Sequence, residues 1–309
     1  MQIVLPCCCG LDVHKDTIQA CILKGDPQEE PVSELRKFST LRDDLLQLAR
    51  WLSDNHCTHV AMESTGVYWQ PIYEVLEEFN LTIYLINARH LKNAEGRKTD
   101  VKDSQWIADL LRHGLLSSSF IPSKFFRTLR EYTRTYKNLS EDRAALLNRI
   151  ERFLQSRGFK LSTVLSDILG ATGRGILEHL AKHGQISVLQ ISSLIKGNTK
   201  RSPSEISLAI NGFLTPDQCR LLTHHLRHLN YLNELINDLM QDTIQLVEPY
   251  KEYVKLLTSI PGISDVSALG LLAEIGVDMS PFKTAEHLTS WAGLSPRSCE
   301  SAGKKKTRG

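Results

Sequence analysis

Apolar residues recur along the first hundred positions in two alternating rhythms. Cys7–Val13 leads with β-prone residues, and Thr17–Leu23 (TIQACIL) alternates apolar with polar, the two-residue period of a half-buried strand. Leu41–Asp54 changes to helical spacing, with Leu45, Leu46, Leu48 and Leu52 near one stripe. His59–Glu63 (HVAME) is a short apolar run closed by a carboxylate, Val67–Phe79 reads as a helix, and Leu81–Asn87 (LTIYLIN) as another strand. Strands interleaved with helices predict an α/β layered domain over residues 1–122.

From about Pro122 the rhythm is helical. Lys124–Lys160 and Cys219–Tyr250 are long periodic runs without internal proline. In the second, Leu222, Leu229 and Ile236 share one heptad position and Leu232, Leu239 and Leu246 another, with His225 and Thr243 interrupting the seam. That spacing fits a helical hairpin or coiled coil over 123–250, and also a plain core helix. Between the two runs, Gly170, Gly173, Gly175, Gly184 and the GNTKRSP segment from Gly197 break the chain into short helices and turns. A third region, 251–309, contains LTSIPGISDVSALGLLAEIG (Leu257–Gly276), with the shape helix, Pro-Gly turn, helix. The backbone N–H groups that open its second helix suit a DNA phosphate, as in a helix-hairpin-helix module; an ordinary helix connection has the same shape.

Composition narrows the class. With 309 residues, 41% hydrophobic and 23% charged, the chain suits a soluble globular protein of two domains or one large core. No apolar run reaches the roughly 20 residues of a membrane helix. The start, MQIVLPCCCGLDV, lacks the positive and long apolar regions of a signal peptide, so a cytoplasmic protein without a membrane partner is expected. Cys7, Cys8 and Cys9 are consecutive, the other cysteines are scattered, and no C-x-x-C pair provides a zinc framework; they are expected to pack as small hydrophobes. The formal charge of +2 conceals an acidic stretch over 1–80 and a basic one over 81–160, which points to a polyanion partner.

Candidate chemistry sits in the acids. Asp12 ends the first strand signal in GLDVHKD, and Glu63 ends another in AMESTG. Asp100 and Asp103, in KTDVKDSQWIADLLRHG, share a helix face if the spacing of Ile107, Leu110 and Leu111 continues back to them. Four carboxylates gathered without a cation repel one another by roughly 4 kcal/mol per close pair at about 4 Å and an effective dielectric near 20. Such a cluster therefore calls for a cation, and all-oxygen ligation favours Mg²⁺ or Mn²⁺, the ions of phosphodiester transfer.

GLDVHKD, MESTGVYW, NARHLKNAEGRKTDVKDSQWIADLLRHG, IPGISDVSALGLLAEIG and WAGLSPRSCESAGKK occur in one order. Together they resemble the DEDD-type transposases of bacterial insertion sequences, the group founded on insertion sequence one-hundred-and-ten, over nearly the whole chain and least between about 160 and 250. The resemblance implies an RNase H-like (RuvC-like) amino-terminal domain, a long helical or coiled-coil insertion and an α-helical carboxy-terminal transposase domain. It implies Asp12, Glu63, Asp100 and Asp103 as the metal-binding acids and Ser301, in ESAGK, as a nucleophile that links covalently to DNA. It also implies a structured bridge RNA that guides the enzyme, a homo-oligomer (dimer or tetramer) with a composite active site, and association with the nucleoid. Family members continue through further helices, so a sequence ending at Gly309 is expected to be a shortened form.

Lys124, Arg127, Arg130, Arg134 and Lys137 recur at spacings of three, three, four and three, one helical stripe with Phe125, Phe126, Tyr132 and Tyr136 interleaved. Few acids accompany it, so the stripe is expected to bind nucleic acid, with exposed aromatics stacking on unpaired bases. Arg89, Lys92, Arg97, Lys98 and Lys102 lie beside the acids and are expected to steer substrate, and Lys304 and Lys305 to meet phosphate near Ser301. His14, His90, His113, His224, His225 and His228 read as polar packing. A junction resolvase with water in place of Ser301, or an inactive nucleic-acid-binding remnant, shares these features. An actin-like ATPase does not, because DVHKDT carries no glycine-rich phosphate loop.

Overall fold

The computed structural model describes residues 4–26, 30–87, 100–196, 201–295, 300–301 and 304–305; the side chains of 100–102, 300–301 and 304–305 lie outside the described residues. The chain divides into two compact units, Met1–Ile121 and Pro122–Gly309.

The first unit is a five-stranded mixed sheet between helices. Its strands are β1 (Cys7–Val13), β2 (Thr17–Lys24), β3 (Val32–Ser39), β4 (His59–Glu63) and β5 (Thr82–Ile86), in the order β3-β2-β1-β4-β5. β1, β2 and β3 pair antiparallel, while β1, β4 and β5 run parallel. Strand alternation assigns side chains to two faces. Cys9, Leu11, Ile18, Ala20, Ile22, Val60 and Met62 face α1 (Arg42–Asp54) and α2 (Trp69–Glu77), whose Leu48, Leu52, Ile72 and Leu76 are fully buried. Burying each such side chain contributes about 1.5–3 kcal/mol before conformational entropy is subtracted. The opposite face, with Cys8, Ala61 and Ile86, packs against Ile107 and Leu111 of α3 (Asp100–Arg112). The expected elements of this unit all form, within two residues at either end. β3 was not foreseen: its charged residues Glu34, Arg36 and Lys37 and its exposed Val32 and Leu35 break the alternation, and pairing along the whole length of β2 makes it a strand.

The second unit is mostly helical. Its long elements are α4 (Lys124–Gln155) and α8 (Pro216–Val247), joined through α5 (Ala171–His183), α6 (Val188–Leu194) and α7 (Pro203–Ala209). Phe125 and Phe126 stack on Tyr250 while Phe153 meets His225, so α4 and α8 run antiparallel. Two separate cores form along the pair. Leu146, Ile150, Leu154, Leu222, Leu226 and Leu229 join α5 to α7 at one end. At the other, Phe126, Leu129 and Val247 meet Leu269, Leu272 and Ala273 of α10 (Asp265–Ile275). Local sequence sets the boundaries: Thr215 caps α8 in a capping box with Gln218 after Pro216 at the first turn, and Gly184 ends α5 at φ +73°.

The Pro-Gly pattern forms as expected, with α9 (Lys251–Thr258), a turn through Gly262 at φ +92°, and α10. α11 (Ala285–Trp291) follows, and the last described pieces, β6 (Glu300–Ser301) and β7 (Lys304–Lys305), form an antiparallel ladder. No helix among the described residues is long and apolar enough to cross a membrane.

Candidate active site

The parallel register of β1 and β4 pairs Leu11 with Met62, so Asp12 and Glu63, one residue further on, leave the same end of neighbouring strands. Such strands lie about 4.8 Å apart. Alternation from Cys8 and Ala61 places both acids on the face that α3 covers. Asp12 accepts from His14 Nε2 at 3.1 Å, and its side chain is 17% exposed. Glu63 accepts from the Thr65 hydroxyl at 2.5 Å.

The helix that carries the other two acids comes unusually close. A Cβ at Gly10 would collide with the Ser104 carbonyl oxygen and lie 2.5 Å from the Ala108 amide nitrogen, so only glycine lets α3 settle on β1 here. The Cys8 thiol donates to the Ala108 carbonyl at 3.3 Å along the same seam. Arg112, fully buried at the far end of α3, donates to the Gly25 and Asp26 carbonyls at 2.9 and 3.3 Å and holds the helix in register. Asp103 precedes Ser104 and therefore starts its turn over Gly10, two residues from Asp12. Asp100 is the first residue of α3, and its side chain lies outside the described residues. Among the described residues no group of three or more His, Cys, Asp or Glu side chains is arranged to hold a metal ion. What the strand register does bring to one end of the sheet is the pair Asp12 and Glu63, hard oxygen donors of a kind that suits Mg²⁺ or Mn²⁺.

The remaining expected residues fall in several places. Ser301 pairs with Lys304 across the β6–β7 ladder and Glu300 with Lys305, while the side chains of Ser301, Lys304 and Lys305 lie outside the described residues. Lys98 also lies outside them, with Arg89, His90, Lys92 and Arg97, and so does the side chain of Lys102. Lys124, Arg127, Arg130, Arg134 and Lys137 lie along α4, but they are not equivalent. Lys124, Arg134 and Lys137 are exposed, and Arg127 donates to the Pro122 carbonyl at 3.2 Å. Glu274 of α10 takes Arg130 Nε at 2.9 Å and both Nε and Nη2 of Arg134 at 3.0 and 2.9 Å. The acid that balances this stripe was invisible from the stripe itself, because it stands in another helix far along the chain.

The expectation of exposed stacking aromatics is corrected for Phe125 and Phe126. Phe126 is buried, and the two rings pack edge-to-face at 5.1 Å with Tyr250 against both. They belong to the core between α4, α8 and α10. At the Pro-Gly turn, Ser264 caps α10 by accepting from the Ser267 amide at 3.3 Å, and Asp265 adds a carboxylate to the first turn, which offsets the attraction of that terminus for phosphate. His225 packs on Phe153, and burial followed by the nearby Arg149 charge holds its imidazole below the ordinary histidine range.

The class of protein is given by comparison with known families. A transposase family model of the DEDD type matches residues 9–157, which span the acid-bearing sheet and α4, and a second model, described as the transposase IS116/IS110/IS902 family, matches residues 254–309. Three relatives extend the match across the chain. The transposase for insertion sequence element IS1533 of Leptospira borgpetersenii is 23% identical over 91% of this chain and 73% of its own length. Pilin gene-inverting proteins of Moraxella bovis and Moraxella lacunata are 23% and 24% identical, each over 93% of this chain and 71% of their own length. The chain belongs to the IS110-type transposases, enzymes that act in DNA recombination. DNA is its partner, and domains of the DEDD type generally use divalent metal ions.

Proposed function

We propose that this transposase cuts and rejoins DNA strands by metal-dependent phosphoryl transfer in an RNase H-like domain, with Asp12, Glu63, Asp100 and Asp103 holding Mg²⁺ or Mn²⁺ and Ser301 as nucleophile. The observation that carries the reading is the placement of Asp12 and Glu63 at adjacent strand ends, on the face where Gly10 admits the start of α3. The strand order β3-β2-β1-β4-β5, with three antiparallel strands followed by parallel ones, supports the RNase H-like assignment. When bound, the ion polarises the reacting phosphate and stabilises charge on the leaving oxygen.

The residues of the chain supply the rest. The carboxylates fix the donor geometry, and His14, bonded to Asp12, orients that carboxylate. Ser301 Oγ forms the bond to phosphorus as the bond to a DNA sugar oxygen breaks, and that oxygen takes up the serine proton. The ladder register sets Lys304 opposite Ser301, which favours phosphate at that position. Lys98, Lys102, Lys305 and the exposed cations of α4 extend the electrostatic contact with nucleic acid.

Within this reading the chain has three parts, 1–122 catalytic, 123–250 a coiled-coil insertion built on α4 and α8, and 251–309 the transposase domain. A structured guide RNA selects the DNA sites, protomers associate so that acids and serine meet, and the enzyme works on the nucleoid. Relatives named for gene inversion favour rejoining over the simple cutting of a resolvase. The test is a supercoiled plasmid substrate assayed with and without the guide RNA. Asp12→Ala and Asp103→Ala abolish cutting while RNA binding persists, and Ser301→Ala abolishes the covalent protein–DNA adduct. Cutting that survives Ser301→Ala without any adduct would establish the resolvase instead.

A further inference from the structure

The helical unit carries a groove of about 630 Å³ where α4, α8 and α10 meet. Its lining is apolar, from Tyr136 on α4, Met240 on α8, and Val266, Leu269, Gly270 and Leu271 on α10. Val266 is 41% exposed and Leu271 40%, so part of this surface faces solvent although α10 is apolar along almost its whole sequence. Contiguous exposed apolar surface of this kind marks a binding site more often than an accident of folding.

The polar groups that border the groove are already engaged. Thr133 donates to the Arg130 carbonyl at 3.2 Å, Ser140 to that of Tyr136 at 2.8 Å, and Thr243 to that of Leu239 at 2.6 Å. The interior therefore offers shape, dispersion and an aromatic surface, with no evident hydrogen-bond code. The lip is different. Arg134 and Lys137 stand at the mouth, 63% and 74% exposed. Glu274, the one carboxylate in the lining, is held by Arg130 and Arg134 together, and Glu141 reaches Lys137 only at 3.8 Å. The mouth is cationic on balance.

We propose that this groove receives one unstacked base of the DNA strand, with Arg134 and Lys137 against the flanking phosphates. A nucleic-acid strand presents this pairing of an apolar, flat-faced group with an anion on either side. The volume lies within the range of about 300–1,000 Å³ typical of small-ligand sites. With the hydroxyls engaged, capture is tolerant of sequence, since every base offers a π-face. The site would hold a displaced strand open without reading it, and it rests on the reading of the chain as an enzyme that opens and rejoins DNA.

Gly270 gives a clean variant. A Cβ there meets nothing within 4 Å and the residue is mid-helix, so Gly270→Leu fills the groove while favouring the helix. The full-length protein is titrated with a single-stranded oligodeoxynucleotide carrying one 2-aminopurine, and with a matching strand that is abasic at that position. Wild type binds the base-bearing strand about tenfold or more tightly than the abasic one and changes its emission. Gly270→Leu, with its melting temperature kept, loses that difference and binds both strands like the abasic one. Lys137→Gln keeps the base preference and lowers the salt slope by roughly one.

Wild type that does not distinguish the strands, or Gly270→Leu that still does, overturns the proposal. So does a loss of self-association on sedimentation of Gly270→Leu with base preference intact, because the groove would then seat a second copy of this chain. Assaying cutting on the same wild-type preparation separates the two readings. Base preference in a wild type that cuts no DNA leaves the groove standing and sinks the catalytic reading, and cutting without base preference does the reverse.

Discussion

Replacing Gly10 by alanine tests the link between the sheet and the helix that brings the acids to it. The added methyl would sit 2.5 Å from the Ala108 amide nitrogen, 3.0 Å from Ile107 Cβ, and against the Ser104 carbonyl oxygen, two of the three being backbone atoms that cannot rotate away. Restoring ordinary contact with the Ser104 oxygen requires α3 to retreat by roughly 1.2 Å, or β1 to bend by as much, and overpacking of this size costs about 1–3 kcal/mol. At about 3–5 °C per kcal/mol, the melting temperature falls by several degrees. The larger effect is on chemistry: moving Asp103 by about an ångström relative to Asp12 and Glu63 lowers single-turnover strand cutting about a hundredfold. Ile22→Val is the control, since Ile22 is fully buried on the face away from α3 and the change costs about 0.5–1.5 kcal/mol. It lowers the melting temperature and leaves the cutting rate below that temperature unchanged. Gly10→Ala that melts lower yet cuts at the wild-type rate would refute the claim that α3 positions the acids. An unchanged melting temperature would refute the close approach itself.

Three further outcomes follow from the same contacts. Glu274→Gln removes the charge that holds Arg130 and Arg134, and because the cluster is partly exposed the loss is about 1–2 kcal/mol, read by chemical denaturation of the whole chain. Lys124→Gln leaves stability unchanged and weakens binding of unrelated DNA sequences alike, with the slope of log affinity against log salt reduced by roughly one. Cys7 reacts as a thiolate near neutrality: a hydrogen bond from the Cys57 thiol, partly offset by burial and reinforced by the Lys24 charge, lowers its pKa to about 7. Its alkylation by iodoacetamide is half-maximal near pH 7, two units below an ordinary thiol at 9.0, and Lys24→Gln moves the midpoint upward. For Cys7 taken alone, a folded-state pKa below the unfolded one adds stability above pH 9 that is lost as pH falls through 7, and the Cys57 thiol, pushed up by the same hydrogen bond and by burial, acts in the opposite sense.

Much of this was legible in the residues. Asp12 and Glu63 could be found because each closes an apolar run, and a carboxylate at that point has to emerge at the end of a strand. The onset of α3 at Asp100 was readable from Ile107, Leu110 and Leu111, all buried in the folded unit. What could not be read were facts of tertiary pairing. β3 is a strand because β2 offers it a free edge, and its own charged residues do not announce it. Phe126 falls on the side of α4 turned toward Leu129, Val247 and α10, and no local pattern tells a stacking aromatic from a core one. Glu274 meets Arg130 and Arg134 from a helix that the chain reaches only after α4 to α9, so charge counted along α4 alone overstates the net positive charge of the stripe.

The antiparallel run of α4 and α8 has a consequence for how the molecule tolerates change. Each helix has 32 residues, a rod of about 48 Å at 1.5 Å per residue. The chain travels out along one rod and returns along the other, so residues 156–196 and 201–215 form an outboard cap that begins and ends at the same tip. Lengthening or trimming that cap alters neither where the rods start nor where they finish. Its own core, centred on Phe159, Ile176 and Leu180, is distinct from the one at the root around Phe126 and Leu272. Energetic penalties at the two ends should therefore add independently, leaving the cap free to diverge in size and surface while the root keeps its geometry.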